Sequence, residues 1–521
     1  MQERNDLKFD KSTAVKAYIN FAAVLIIIIL SLAIFSNSMT KSPGHDEQMY
    51  STGAYMMAQG KMIYRDFSYV TQLPYHPLLL AAAYKLTGTT HYLLTGRLIS
   101  SICDILVMII IFGIFRRIFK SHAVTGTLLG IAAAIIYVFN PLVDYANGYA
   151  WNHDVVILCV MLALFLFILT DFKKNSSFWL IVMMGALLTF ATFMRITTAL
   201  IAVLFFVILL TIPAASIMLR LKRILPFLAG SCLALIWPIW LIANAPRAFY
   251  LNIFKMSVLN GRLARESGVI LDKMDLTMTS LTTPGYFALA AFAIYLWLIF
   301  IFLLRHFEIK DKSKVILVAL LPLFFFAIAL IPPAMWPQYL AMPVPFILTS
   351  LAFPLFYLKT SRKLYNIAIV FIIICVTVSV ASYPFVLYRI PAVLTPEVWT
   401  PIKLHGLSKD IADEISEPKL VMTLAPLYAI EGGCEIYNEL SAGPFAYRVA
   451  DYLSPEERKI THTVGTKNIS ELISEKPPSA LITGADTETL EKPILNSIKG
   501  LNWRRKEYKT GLTVYFNPMA N

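Results

Sequence analysis

The sequence predicts a multi-pass α-helical membrane protein of about eleven spans that ends in a soluble α/β domain. Three observations lead there. Of 521 residues, 58% are hydrophobic and only 15% are charged, too apolar a balance for a soluble chain of this length. Long uncharged runs alternate with short basic clusters, the pattern of membrane helices joined by cytoplasmic loops. From about residue 388 the long runs stop, and short apolar segments punctuated by Gly and Pro take over. The net charge of +13 sits in the inter-span clusters, so no nucleic-acid partner is expected. Cys103, Cys159, Cys232 and Cys375 lie inside apolar runs and Cys434 stands alone, which excludes a disulfide framework or a cysteine metal motif.

In chain order, residues 1–17 are polar and carry Arg4, Lys8, Lys11 and Lys16, and residues 18–38 are free of charge. That run is long enough to cross a bilayer and too long for a signal-peptide core, so it is expected to stay as the first span. A polar stretch follows, then a short apolar run at 78–86 expected to lie at the interface. Further spans are expected near 98–115, 123–142, 155–170, 178–194, 196–213, 224–243, 286–304, 315–331, 338–358 and 365–387. Residues 178–213 are ambiguous, being twice a span in length and broken only by Arg195. Two spans with a turn at Arg195 place Arg116, Arg117, Lys120, Lys173, Lys174, Arg220, Lys222, Arg223, Lys310, Lys312, Lys314, Lys359, Arg362 and Lys363 on the side of the basic N-terminus. One span would scatter them, against the positive-inside rule. The expected topology has a cytoplasmic N-terminus in the plasma membrane. Residues 1–387 form the membrane part, the loops 40–97, 144–153 and 244–285 face outward, and so does the domain 388–521. In that domain 419–424, 480–483 and 512–516 read as strands, and 455–459, 469–475 and 487–498 as helices.

The chemistry concentrates in the first outward loop. Asp46 and Glu47 are adjacent carboxylates just past a membrane helix, followed by Tyr50, Gly60, Tyr64, Arg65 and Asp66. Ionised groups cost roughly 2.5–3.5 kcal/mol each in a membrane helix, so their place beside hydrocarbon calls for a use. The outward loops also carry Asp144, His153 and Asp154, with Lys61, Arg65, Arg195, Arg247, Arg262 and Arg265. A carboxylate can take a proton from an acceptor hydroxyl while cations hold a departing phosphate, the two requirements of sugar transfer from a lipid phosphate. Plainer readings stand beside this one. Acids in a first helical turn complement the helix dipole, which would account for Asp46, Glu47 and Asp154. Arg195 can snorkel, and Arg262 and Arg265 can be solvated. His45, His76 and His153 with Asp46 and Asp154 are of metal-binding types. They lack local ligand spacing, so no metal site or cofactor is assigned and a divalent cation is left open. Arg97 and Asp104 stand two helical turns apart and are expected to be satisfied through shared neighbours.

A basic N-terminus, one span, then Asp46-Glu47 with Tyr50, Gly60, Tyr64 and Leu73-Pro74-Tyr75-His76-Pro77 before an interfacial helix resembles the GT-C superfamily of integral-membrane glycosyltransferases. Its members include the protein O-mannosyltransferases and the lipid A aminoarabinose transferases. Arg97, Asp154, Arg195 and Gln338-Tyr339 at span ends are similar to the pattern as well. The resemblance implies an inverting transferase with a polyprenyl-phosphate sugar as donor and a lipid, glycan or protein as acceptor. It implies Asp46 as base; read from the residues, Glu47 joins the catalytic set to orient or bind donor and Asp154 is a second site carboxylate. Lys61, Arg65, Arg195, Arg262 and Arg265 are the expected donor-phosphate cations, and Tyr50, Tyr64, His153, Gln338 and Tyr339 the expected substrate contacts. A transporter or flippase is the competing class, and it calls for charges at mid-bilayer in broken helices. Here most charges sit in outward loops, with Asp104 the exception. A structural assembly protein using its tail would need no Asp46.

Overall fold

The computed structural model describes residues 11–518 apart from 173–176, 215, 267–272, 307, 310 and 333–334. Arg4, Lys8, Lys173, Lys174 and Lys310 of the charge argument lie outside the described residues. The chain is a multi-pass α-helical membrane protein. Eight described helices are long and apolar enough to cross a bilayer, from Ala14–Thr40 to Arg362–Ser382. His153–Leu169, Phe178–Thr192 and Ile196–Thr211 are shorter apolar helices and occupy the remaining three expected places. In the first helix, α1 (Lys11–Thr40), Phe21, Val24, Leu25, Ile28 and Ile29 are exposed. Such a stripe would be costly in water, at about 25 cal/mol per Å², and is natural against hydrocarbon.

The ambiguous stretch is two helices, as the charge argument requires. Phe178–Thr192 ends where Arg195 N donates to Ala191 O at 2.9 Å, and Arg195 itself is extended (φ −145°, ψ 107°) before the chain turns into Ala199–Thr211. Phe178–Thr192 packs closely on Ile217–Asn244, because a Cβ at Gly185 would lie 2.0 Å from Phe227 O and one at Gly230 would lie 1.9 Å from Val182 O. Small residues let membrane helices approach in this way. At one end of the bundle Lys314 donates to Ile168 O and stands near Arg117, Lys120 and Asp171. The opposite end carries α2 (His45–Ala58) and α3 (Tyr75–Thr87), the start of α4 (Tyr92–Ile118), the 144–152 segment, Arg195 and the C-terminal domain.

That domain holds a five-stranded sheet in the order β2-β1-β3-β5-β4, with β1 Leu420–Thr423, β2 Glu435–Ile436, β3 Ala480–Thr483, β4 Arg504–Glu507 and β5 Thr513–Phe516. β1 pairs in parallel with β2 and β3, and β5 runs antiparallel to β3 and β4. Strand alternation divides the core. Leu420, Met422 and Leu481 face a cluster with Ile494. Val421, Ala480 and Ile482 face a second cluster that continues through Leu427, Ile430 and Ala446 into Met49, Tyr50, Tyr64 and Met256. The apolar stretch around 423–445 therefore packs on the first loop and does not stand in solvent. β1, β3 and β5 coincide with the expected strands. β4 reads Arg-Arg-Lys-Glu with every residue exposed, a charged edge strand that carries no apolar alternation to announce it.

Candidate active site

α2 begins one residue after Gly44, whose extended backbone (φ −86°, ψ 145°) caps it. Successive residues on a helix point about 100° apart, so Asp46 and Glu47 cannot serve one place. Glu47 turns inward and is wholly buried. Its Oε1 accepts from Arg97 Nε at 2.9 Å and Ala150 N at 2.6 Å, and its Oε2 from Arg97 Nη2 at 2.8 Å and Gly44 N at 2.8 Å. Arg97 also donates to Ser38 O and Lys41 O, both at 2.8 Å, and to Ser42 O at 3.0 Å. This clamp joins the carbonyl end of α1, the start of α2, α4 and the 144–152 segment. Both oxygens of Glu47 are used within it, so the catalytic place expected for Glu47 is corrected to a scaffold. The expectation that Arg97 and Asp104 share neighbours is corrected too, since Asp104 Oδ1 instead accepts from Tyr137 Oη at 2.5 Å and Asn147 Nδ2 at 2.7 Å.

Asp46 turns the other way. It is half-buried, and among the described residues it has no hydrogen bond or ion pair. Burial pushes its carboxyl above the ordinary carboxylate range, with Glu47 adding to the rise, while His45, Arg448 and Arg195 pull the other way. Arg195 lies over the Tyr339 ring, 4.6 Å from its centroid. Arg448 comes from the helix Pro444–Ala450 of the C-terminal domain and is held by Asn260 Oδ1 at 2.8 Å. Neither arginine is in a salt bridge among the described residues. Tyr50, one helical turn beyond Asp46, faces Asp46, Arg195 and Tyr339. Its ring meets those of His76 at 4.9 Å and Tyr69 at 6.2 Å. A Cβ at Gly53 would lie 2.6 Å from the Tyr69 ring, so α2 needs that glycine to let Tyr69 in.

Buried polar atoms are nearly always paired, yet several here have no partner among the described residues. They are Tyr69 Oη, His76 Nδ1, Trp151 Nε1, both ring nitrogens of His153, and Gln338 Oε1. His153 faces Arg195 and its ring lies 6.0 Å from that of Trp151, while the Tyr69 and His76 rings meet Tyr50. Burial lowers His76 to about 3, which keeps that ring neutral near pH 7. The cluster offers a carboxylate able to take a proton, two cations able to hold an anion, and neutral donors and acceptors between them.

Of the other expected residues, Asp154 is buried beneath this cluster. Its Oδ2 accepts from Gly148 N at 2.8 Å, and Lys41, Asp104 and Ser100 surround it. Four expected phosphate cations are engaged elsewhere or exposed. Lys61 donates to Asn438 Oδ1 at 2.7 Å, Arg65 pairs with Asp66 at 2.7 Å, Arg262 pairs with Glu266 at 2.7 Å, and Arg265 is exposed on the helix of Arg262. Tyr64 is buried at φ +68°, with its hydroxyl donating to Gln72 O at 2.7 Å. These are corrections: of the five expected cations the structure brings Arg195 to Asp46. Sequence reasoning missed Arg448, whose approach to Asp46 has no local signal. Among the described residues His45, His76, His153, Asp46 and Asp154 do not converge as a ligand set.

The family model for dolichyl-phosphate-mannose-protein mannosyltransferases matches residues 72–242. No curated protein matches the chain by sequence. Among solved structures, ArnT from Cupriavidus metallidurans bound to undecaprenyl phosphate is similar with a TM-score of 0.60 at 14% identity, over 94% of this chain and 97% of that one. ArnT in the apo state is similar at 0.55 and 13% identity, over 97% and 98% of the two chains. The Archaeoglobus fulgidus oligosaccharyltransferase bound to Zn and sulfate aligns at 0.47 and 12% identity, over 94% of this chain and 73% of that one.

Proposed function

We propose, from the GT-C membrane-glycosyltransferase fold that this chain shares with ArnT, that it moves a sugar from a polyprenyl-phosphate donor to a hydroxyl acceptor with inversion at the anomeric carbon. The family match at 72–242 and the undecaprenyl phosphate bound to ArnT support that donor class. The observation that carries the reading is the split between adjacent carboxylates. Glu47 is consumed by Arg97, whereas Asp46 is unpaired among the described residues and stands before Arg195 and Arg448. In the reaction the acceptor oxygen attacks the anomeric carbon as the bond from that carbon to the phosphate oxygen breaks. The acceptor proton passes to Asp46, and the lipid phosphate leaves with the bonding pair. Arg195, oriented by Tyr339, and Arg448 stabilise the phosphate charge. Burial raises the basicity of Asp46 and the two arginines limit that rise, and a more basic carboxylate is a better proton acceptor. Tyr50, His153, Gln338 and Tyr339 would contact donor or acceptor.

In this reading residues 1–387 carry the chemistry and 388–521 close the site by delivering Arg448. The N-terminus is cytoplasmic, and Asp46 and the C-terminal domain lie on the outer side of the plasma membrane, where the acceptor is a lipid, glycan or protein. Single-turnover transfer from radiolabelled polyprenyl-phosphate sugars tests the proposal. Asp46→Asn is expected to lose roughly 10²- to 10⁴-fold in rate, the usual worth of a general base. Wild-type rates in Asp46→Asn would sink the base assignment, and no transfer by the wild type from any such donor would sink the function.

A further inference from the structure

Three side chains outside the Asp46 cluster converge where the C-terminal domain meets the membrane part. His91 immediately precedes α4, His405 lies in the helix Thr400–Asp413, and Glu431 follows the short helix Leu427–Ile430. One ligating atom from each can be chosen so that all lie within 4.8 Å of one another. His405 Nδ1 and Glu431 Oε2 are 2.6 Å apart, and the His91 and His405 rings lie 3.7 Å apart at 31°. Glu431 is held in place by its other oxygen, which accepts from Leu93 N at 2.7 Å. His405 and Glu431 are buried, and among the described residues the buried His91 Nδ1 has no hydrogen-bond partner.

We infer that His91, His405 and Glu431 form a divalent-metal site of zinc-type chemistry that latches the C-terminal domain to the start of α4. Two imidazoles and one carboxylate suit zinc, while magnesium and calcium demand shells of oxygen ligands. Bonds of about 2.0–2.1 Å around a tetrahedral ion hold its ligand atoms about 3.3 Å apart. The 2.6 Å contact of His405 with Glu431 therefore opens by about 0.7 Å, and a pair at the 4.8 Å limit closes by about 1.5 Å. Side-chain rotation of His91, which sits in the link between α3 and α4, supplies the movement. His91 is partly exposed, which puts one ligand of the site at a solvated edge. The neutral imidazoles and one carboxylate leave the bound dication with one net positive charge, tolerable at a partly solvated edge. The latch is structural in kind, because none of its three residues is among the groups that face Asp46. It fixes the N-terminal end of the helix whose Arg97 clamps Glu47, and so steadies the base from a distance.

The test uses the full chain, purified in detergent without a metal-affinity tag, stripped with chelator and equilibrated with Zn²⁺. Elemental analysis after desalting is expected to give one zinc per chain. Cobalt in its place is expected to show the visible absorption of a four-coordinate nitrogen and oxygen site. Zinc is expected to raise the unfolding temperature of the wild type. His91→Ala, a change in a partly exposed link, should remove the bound metal and that rise, and Glu431→Gln should do the same. A wild-type chain that retains no zinc overturns the proposal, and this arm decides even if a variant does not fold. Equal zinc retention by wild type and a folded His91→Ala overturns it as well.

Discussion

Glu47→Gln exchanges one oxygen of a buried carboxylate for an amide nitrogen, and the contacts around Glu47 set the cost. Each oxygen accepts two bonds, Oε1 from Arg97 Nε and Ala150 N, and Oε2 from Arg97 Nη2 and Gly44 N. Whichever way the amide turns, its NH₂ faces two donors, one from Arg97 and one from the backbone, and the Arg97 charge loses its counter-ion at a side chain that is 0% exposed. Buried unpaired donors cost about 1–3 kcal/mol each and a broken buried ion pair about 3–5 kcal/mol in all, so with incomplete additivity the change should cost about 3–5 kcal/mol. That is a large share of the roughly 5–15 kcal/mol that holds an ordinary domain folded. Thermal unfolding of the purified full chain, followed by tryptophan fluorescence, reads the stability, and single-turnover transfer on the fraction still folded reads the chemistry. The expected result is a clear fall in unfolding temperature with transfer per folded molecule far above that of Asp46→Asn. A Glu47→Gln protein that unfolds at the wild-type temperature and transfers no better than Asp46→Asn would show that Glu47 takes part in the reaction.

Asp46→Asn should raise the unfolding temperature at neutral pH while lowering activity. Burial raises the folded pKa of Asp46, so folding loses stability as pH climbs from the ordinary carboxylate value through the raised one; the amide escapes that loss, and the difference between the two proteins should fade in acid. A lower unfolding temperature at neutral pH would contradict the environment assigned to Asp46. Arg195→Ala should lower kcat/KM for the lipid-phosphate donor roughly 10- to 150-fold, from about 1.5–3 kcal/mol for a charged hydrogen bond. Initial rates against donor concentration check this, with an unchanged kcat/KM excluding a phosphate role. Gly230→Ala should destabilise by about 1–3 kcal/mol by forcing the helices apart at Val182 O, whereas Gly406→Ala, with nothing within 4 Å of its new Cβ, should not. Equal unfolding temperatures for the two variants would refute the close helix contact.

What the sequence alone determined is what depends on neighbours along the chain. Uncharged runs are measured against a bilayer locally, so the membrane class and the places of the spans were legible, including the break at Arg195. Short apolar segments set off by Gly and Pro marked β1, β3 and β5, and the position of Asp46 just past α1 put a carboxylate at the interface. Tertiary structure decided what each charge does. Asp46 and Glu47 look interchangeable in sequence, and only Arg97, 50 residues further on, takes Glu47 and leaves Asp46 open. Lys61, Arg65, Arg195, Arg262 and Arg265 looked alike as phosphate cations until Asn438, Asp66, Glu266 and Tyr339 sorted them. Arg448 beside Asp46, and His91 with His405 and Glu431, come together from the two ends of the chain. Hydropathy and periodicity measure how a residue meets solvent, lipid or its own helix, while the partner of a charged side chain is chosen by packing between elements far apart in sequence, and no local pattern carries that choice.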